Sequence, residues 1–195
     1  MENILVDAEG HVLLTDFGLS IDLNDGIPES GGKLAGTMEY FSPECIDEDL
    51  PYGLASDWWS VGILTHELLT GQSPFAGGDY DRDIITNRIL NQQPDLDHEL
   101  HEAPLDFIVR LLQKNATDRL GFENGAQDLK DHVWFKGIDW NLLTHKVYPA
   151  PIKFDFVDKY DVCHFDNTFT STSLMSFENS SDDKQTIEGM KLEVI

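Results

Sequence analysis

Three short runs hold the side chains best suited to chemistry. Asp16-Phe17-Gly18 closes a segment with strand character. Ser42-Pro43-Glu44 lies beyond a loop, and Asp57-Trp58-Trp59-Ser60-Val61-Gly62 opens a strongly apolar stretch. A carboxylate such as that of Asp16 can hold Mg²⁺ against phosphate oxygens, although the same three residues also suit an ordinary Asp-containing turn. Asp57 stands beside two Trp residues, where a carboxylate is costly to bury unless it accepts hydrogen bonds; as a first-turn helix acid it would be stabilised by the helix dipole. Cys45 and Cys163 are far apart and match no metal-binding spacing.

The elements that must position these residues are legible in the patterning. Ile4-Leu5-Val6 and Val12-Leu13-Leu14 are short β-forming runs around the turn signal Asp7-Ala8-Glu9-Gly10, which predicts a β-hairpin. Residues 19–41 carry Asn24-Asp25-Gly26, Pro28 and Gly31-Gly32 and read as a long irregular loop. Leu54 to Leu69 is apolar on several faces, as expected of a central helix buried nearly all round, with Gly71 to stop it. Ile84, Ile85, Ile89 and Leu90 form a second helical stripe, with Asp79, Asp81 and Asp83 at its favoured end. Leu105, Ile108, Val109, Leu111 and Leu112 form a third, and Leu129 to Phe135 suggests a short fourth. Past Trp140 the pattern changes. Pro149-Ala150-Pro151 enforces extended backbone, and Phe154, Phe156, Tyr160, Phe165 and Phe169 follow without a helical period, as in a segment that docks aromatics into surface grooves. From Ser171 onward polar residues dominate, which predicts disorder over 171–195.

The chain has 195 residues, with 36 Asp and Glu against 13 Lys and Arg, a net charge of −23. That balance argues against binding DNA, RNA or an anionic membrane, which need clustered cations, and suits a basic peptide partner; solubility alone could also account for it. Two lone thiols point to a reducing compartment, and neither a signal peptide nor a run of about 18 apolar residues is visible, so cytoplasm, nucleus or both is expected.

The order of these motifs resembles the back half of a protein kinase catalytic domain, from D-F-G through the A-P-E position into the following helices. Gly36-Thr37-Met38-Glu39-Tyr40, the run at 57–64, His132-Val133-Trp134-Phe135, Ile138-Asp139-Trp140 and Pro149-Ala150-Pro151-Ile152-Lys153 are similar to the AGC group. Glu67-Leu68-Leu69-Thr70-Gly71-Gln72-Ser73-Pro74-Phe75 is most similar to the N-terminal kinase domain of ribosomal S6 kinases and of mitogen- and stress-activated kinases. The resemblance implies a mainly α, kinase-like α+β fold: a C-terminal lobe built as a helical bundle with a small β-hairpin, plus an extended C-terminal tail. It divides the chain into a partial kinase domain at 1–140, an AGC C-terminal extension at 141–170 and a disordered tail at 171–195.

By the same resemblance the activity is ATP-dependent phosphorylation of Ser or Thr in basic motifs. Asn3 and Asp16 become Mg²⁺ ligands, Phe17 packs to position Asp16, and Gly18 permits a backbone that a β-carbon would hinder. Thr37 bonds the catalytic Asp, Glu2 and Glu67 receive a substrate Arg, and Asp57 accepts backbone N–H groups of the catalytic loop. Glu44 forms a buried structural ion pair with Arg119 of Asp118-Arg119-Leu120-Gly121. Several parts depart from the pattern. The catalytic Asp of the His-Arg-Asp motif belongs about five residues ahead of Asn3, which puts it upstream of Met1 and leaves Thr37 as its supporting residue. The Gly-rich loop, the strand Lys and its Glu partner are likewise not in these residues, so the isolated chain is expected to be inactive. ATP, Mg²⁺ and the small lobe are expected of the full-length parent. Lys33 stands at the group's activating phosphosite with Ser30 out of register, and Ala35 replaces the usual Cys. The alternative is a non-catalytic, pseudokinase-like module that binds a basic peptide or a partner kinase.

Overall fold

The computed structural model describes residues 3–22, 36–47, 49–50, 52–76, 78, 81–96, 100–155, 161–165 and 167–171. Met1, Glu2, Asp79, Phe156, Tyr160, most of the predicted loop with Ser30 and Lys33, and the tail after Ser171 lie outside them. The chain divides into two compact units, residues 1–152 and 153–195.

The first unit opens with the hairpin. β1 (Ile4–Val6) pairs antiparallel with β2 (Val12–Leu14), in the register Ile4↔Leu14, Leu5↔Leu13 and Val6↔Val12. Asp7 builds the turn: its Oδ1 accepts the N–H groups of Glu9 (3.0 Å) and His11 (2.8 Å), and its backbone N–H bonds the His11 carbonyl. Oδ2 pairs with the Lys146 ammonium at 2.9 Å. The His11 bond first, then Lys146, holds the Asp7 carboxyl down at about 2. Gly10, with φ +90, lies so close to the Ile152 carbonyl that a β-carbon would stand 2.0 Å from that oxygen. The hairpin tip is thus fastened to residues 146–152.

Helices follow: α1 (Pro43–Ile46), α2 (Ala55–Thr70), α3 (Arg82–Asn91), α4 (Glu102–Leu111), α5 (Ala126–Lys130) and α6 (Trp140–Thr144). Pro43 takes the first position of α1, where its missing N–H costs nothing. Asp81 caps α3 by accepting from the N–H groups of Asp83 and Ile84, and Asp139 caps α6 in the same way. Gly71, at φ +77, ends α2 in the left-handed conformation.

α2 carries the core. Trp59 and Ile63 are fully buried and meet Phe75, Ile85 and Ile89, Ile108 and Leu112, with Trp59 and Phe75 stacked at 5.5 Å. α2 is not buried all round, however. Leu54, Leu68 and Leu69 are exposed, and the buried face runs through Ala55, Ser56, Trp59, Gly62, Ile63 and His66. One helix face can meet α4 and α3, and the chain folds no further layer over the opposite face among the described residues. At the crossing with α4, Gly62 lets the helices touch: a β-carbon there would lie 2.8 Å from Leu112 Cδ2 and 2.9 Å from Leu111 Cβ. Lys114 closes this core from one side. Its ammonium sits 4.3 Å from the Phe75 ring centre and 5.1 Å from that of Trp59, and donates to the carbonyls of Ile89 and Arg88 at the end of α3. Burial, with Arg119 nearby, lowers its pKa to about 8.

The predicted helix at 129–135 is two pieces, α5 and a 3-10 turn at Val133–Phe135. His132 breaks it by turning its side chain back: Nδ1 accepts the Trp134 N–H at 3.2 Å, which leaves the proton on Nε2 to donate to Asp106 at 3.0 Å. Phe107 meets that ring edge-on and links it to Trp134, Phe135 and Trp140 in a second aromatic cluster, with neighbouring centroids 5.1 to 5.3 Å apart. In the second unit α7 (Asn167–Thr170) is a short helix where extended chain was expected, Phe154 meets His164 edge-on at 4.8 Å, and Phe165 is exposed.

Candidate active-site cleft

The hairpin register brings the first two site residues together. Ile4 pairs with Leu14, so Asn3 faces Thr15, and its carbonyl accepts the Thr15 N–H at 3.0 Å. Asp16 is the next residue. Both therefore stand at the open end of the hairpin, and both line one cleft of about 800 Å³ with Thr37, Tyr40, Asp57 and Ser60. Two expectations concern the chain just ahead of Asn3: a catalytic Asp upstream of Met1, and a substrate Arg received by Glu2. Both fall outside the described residues.

Asp16 adopts φ +61, the left-handed region, which Asp tolerates better than most residues. Its Oδ1 accepts the Gly18 N–H at 3.3 Å. Gly18 itself has no positive φ. A β-carbon there would instead stand 3.2 Å from Asp16 Oδ1, so the glycine gives room to the carboxylate rather than freedom to the backbone. Phe17 does not pack as expected: it is 68% exposed, because its neighbours Leu14 and Leu19 are exposed too and no described side chain closes over it.

Thr37 begins the 3-10 turn Met38–Tyr40. Its carbonyl accepts the Tyr40 N–H at 3.1 Å, while its hydroxyl makes no capping bond and stays exposed in the cleft. Asp57 lies in the first turn of α2, and among the described residues no donor reaches its carboxylate. Surrounding protein on one side pushes that carboxyl above its ordinary range, although its other side meets water. Glu67 stands ten residues further along α2, about 15 Å by helix rise, and does not line the cleft. Tyr40 Oη donates to its Oε2.

Beneath the cleft, Glu44 and Arg119 meet, each 2% exposed. Arg119 Nη1 donates to Glu44 Oε1 at 2.5 Å and Nη2 to Oε2 at 2.9 Å, a fork-shaped pair. Nη1 also reaches the Ala55 carbonyl at 2.6 Å, and Nε and Nη2 reach that of Gln113. Ser56 Oγ adds a bond to Glu44 Oε1 at 2.9 Å. Burial alone would raise the Glu44 carboxyl, but the Arg119 bonds and charge outweigh it and hold it below the usual range. Tyr40, Ser56 and Ser60 are the residues that sequence reasoning passed over. Ser60 Oγ donates to the Tyr40 carbonyl at 3.0 Å, so the two serines, one turn apart, tie the segment of residues 40–44 to α2. Their spacing, four residues apart on the polar edge of an apolar helix, was the signal available.

The donor set in the cleft fits Mg²⁺. Asn3 and Asp16 offer an amide oxygen and a carboxylate, hard oxygen ligands of the kind that ion takes, one or two from protein with water and phosphate completing the shell.

Comparison with known proteins agrees with this architecture. The sequence profile of the protein kinase domain matches residues 1–135. This chain belongs to the protein kinase family. It is an AGC-type Ser/Thr kinase sequence that resembles the S6 kinases: it is 40% identical to ribosomal protein S6 kinase alpha-4 of Mus musculus over 173 residues, 87% of this chain and 22% of that protein. It is 37% identical to the serine/threonine-protein kinase AtPK1/AtPK6 of Arabidopsis thaliana over 183 residues, 92% of this chain and 38% of the relative. To ribosomal protein S6 kinase alpha-1 of Homo sapiens it is 37% identical over 171 residues, 87% of this chain and 23% of that protein. The chain thus spans between about a fifth and two fifths of these relatives. Use of ATP and Mg²⁺ and action on protein substrates are general to the family.

Proposed function

We propose that this chain supplies the metal-binding and substrate-binding side of an ATP-dependent Ser/Thr kinase acting on basic sequence motifs. The observation that carries this reading is the pairing at the open end of the hairpin, which sets Asn3 and Asp16 into one cleft with the free hydroxyl of Thr37. Asn3 Oδ1 and the Asp16 carboxylate hold Mg²⁺, and Phe17 and Gly18 flank the carboxylate. When bound, the ion neutralises charge on the transferring phosphates. Thr37 donates to the catalytic carboxylate and Asp57 accepts backbone N–H groups of the catalytic loop. Glu67, held by Tyr40, and Glu2 face a substrate guanidinium, where paired carboxylates make charge-assisted contacts. The charge of −23 favours such a peptide on approach. Two unpaired thiols fit cytoplasm or nucleus.

The 195 residues contain neither a His-Arg-Asp run nor a Gly-rich phosphate loop. By themselves they lack the positioned nucleotide and the base on which transfer depends, so the isolated chain binds peptide and metal without catalysing. The test is made in the source organism. The protein is captured with an antibody to residues 126–144 and assayed for phosphate transfer from labelled ATP to a Ser peptide bearing Arg residues, with and without an Asp16→Asn codon change. Transfer is expected of a captured protein in which these residues are joined to a small lobe and a His-Arg-Asp motif, with loss of at least about a hundredfold in the variant. Undiminished transfer by Asp16→Asn would remove the metal role, and absence of transfer by the unaltered protein would remove the activity.

A further inference from the structure

A second concavity, of about 760 Å³, lies on the other side of residues 52–54. Its walls are Pro43 of α1, Leu50 and Leu54 of the loop before α2, Leu90 of α3 and Phe122 beyond α4. Tyr52, Gly53 and Leu54 line both concavities and so form the ridge between them. The walls come from four parts of the chain but are set rigidly. Glu44, which also lines the concavity, is clamped by Arg119, and Arg119 in turn holds the Ala55 and Gln113 carbonyls. The apolar walls are not covered: Leu54 is 66% exposed, Phe122 45% and Leu50 39%. A volume of this size, apolar with a few polar groups, is that of a ligand site.

Charge says what fits there. Asp47 lines the concavity and Asp49 follows it; Asp47 Oδ1 accepts the Asp49 N–H, and among the described residues no cation reaches either carboxylate. The two nearby cations are committed inward. Lys114 donates to the carbonyls at the end of α3 over the Trp59 and Phe75 rings, and all three donor nitrogens of Arg119 are engaged. An apolar floor under an uncompensated acidic mouth, on a chain of charge −23, complements a side chain that is apolar next to one that is cationic.

We propose that this trough docks a segment of a partner protein in which an aromatic or aliphatic anchor lies beside Lys or Arg. The anchor fills the space between Leu50, Leu54, Leu90 and Phe122, and the flanking cation meets Asp47 and Asp49. The site is separate from the cleft of Asn3 and Asp16 and from Glu67, so it selects a partner without occupying the place of substrate.

Fluorescence polarisation of the full chain tests it, with labelled Gly-Arg-Leu-Phe-Arg-Gly and the charge-reversed Gly-Glu-Leu-Phe-Glu-Gly as probes. The basic probe is expected to bind and the acidic one at least about tenfold more weakly. Phe122→Glu and Asp47→Lys should each weaken the basic probe about tenfold or more, and by more than Glu67→Gln does. Should Phe122→Glu fail a melting check, Leu50→Glu replaces it. No binding of the basic probe, or equal binding of both probes, overturns the proposal. Loss in Glu67→Gln with none in Phe122→Glu also overturns it, placing the peptide in the substrate groove and leaving the kinase reading intact.

Discussion

At the scale of single residues, Arg119 bears the heaviest structural load. One guanidinium binds both oxygens of Glu44 and two backbone carbonyls, with neither partner open to water. Removing one member of a buried pair leaves an uncompensated charge, so Arg119→Ala should cost roughly 3–5 kcal/mol in urea unfolding. Replacing both partners by apolar residues should cost less than the sum of the single changes, because the stranded charge disappears with its partner. Additive effects below about 1 kcal/mol each would mean that the pair contributes no coupling. Asp16 is the other telling residue. Its left-handed backbone was invisible in a sequence that put Gly two places later and so drew attention to the wrong residue.

At the scale of elements, two contacts govern how the site is held. The first is the α2–α4 crossing, where Gly62 admits Leu111 and Leu112. Gly62→Ala gains up to about 1 kcal/mol of helix propensity but places a methyl inside van der Waals contact, which costs about 1–3 kcal/mol. The net expectation is destabilisation, read as a lower urea midpoint at unchanged slope. A higher midpoint would mean that the helices part freely. The second is the hairpin tip. The Asp7 carboxyl sits at about 2 against an ordinary 3.8, so its contribution is present above 3.8 and is lost as pH falls from 3.8 through 2. Lys146→Met removes one of the two main causes and leaves the His11 bond, so the Asp7 midpoint, followed by NMR of its carboxyl carbon, should rise part of the way toward 3.8. A midpoint that stays near 2 would assign the whole effect to the turn. Because the hairpin carries Asn3 and Asp16 at its far end, this clasp to residues 146–152 also orients the cleft.

At the scale of the whole molecule, the cleft offers metal ligands with little to hold a nucleotide. Asn3, Asp16 and Thr37 are among the polar residues that line it, and the nearby Val12, Leu13 and Leu14 of the hairpin, with Phe17, are exposed. Calorimetric titration of the 195-residue chain with MgATP should give no binding at sub-millimolar concentration. Micromolar affinity would show that these residues alone build the nucleotide site. The exposed hairpin face and the uncovered trough beside Phe122 are apolar surfaces, among the described residues, that partners of different kinds could cover.

Motif order, hydrophobic period and turn chemistry determined much by themselves. Ile4–Val6 and Val12–Leu14 read as a hairpin because β-forming residues flank a turn of Asp and Gly, and the Ala55–Thr70, Arg82–Asn91 and Glu102–Leu111 helices follow from stripes of apolar residues, with Gly71 ending the first and Asp81 opening the second. These are local signals, fixed by backbone sterics and by which side chains share a face. Sequence order also named Glu44 and Arg119, 75 residues apart, but only folding set their geometry and brought Ser56 to the same carboxylate. The break at His132 arose from a side chain that turned to Asp106, 26 residues away. The exposure of Phe17 and Leu54 depended on which faces found a partner. Burial and pairing across long separations are properties of the packed chain, and no period or spacing along the sequence records them.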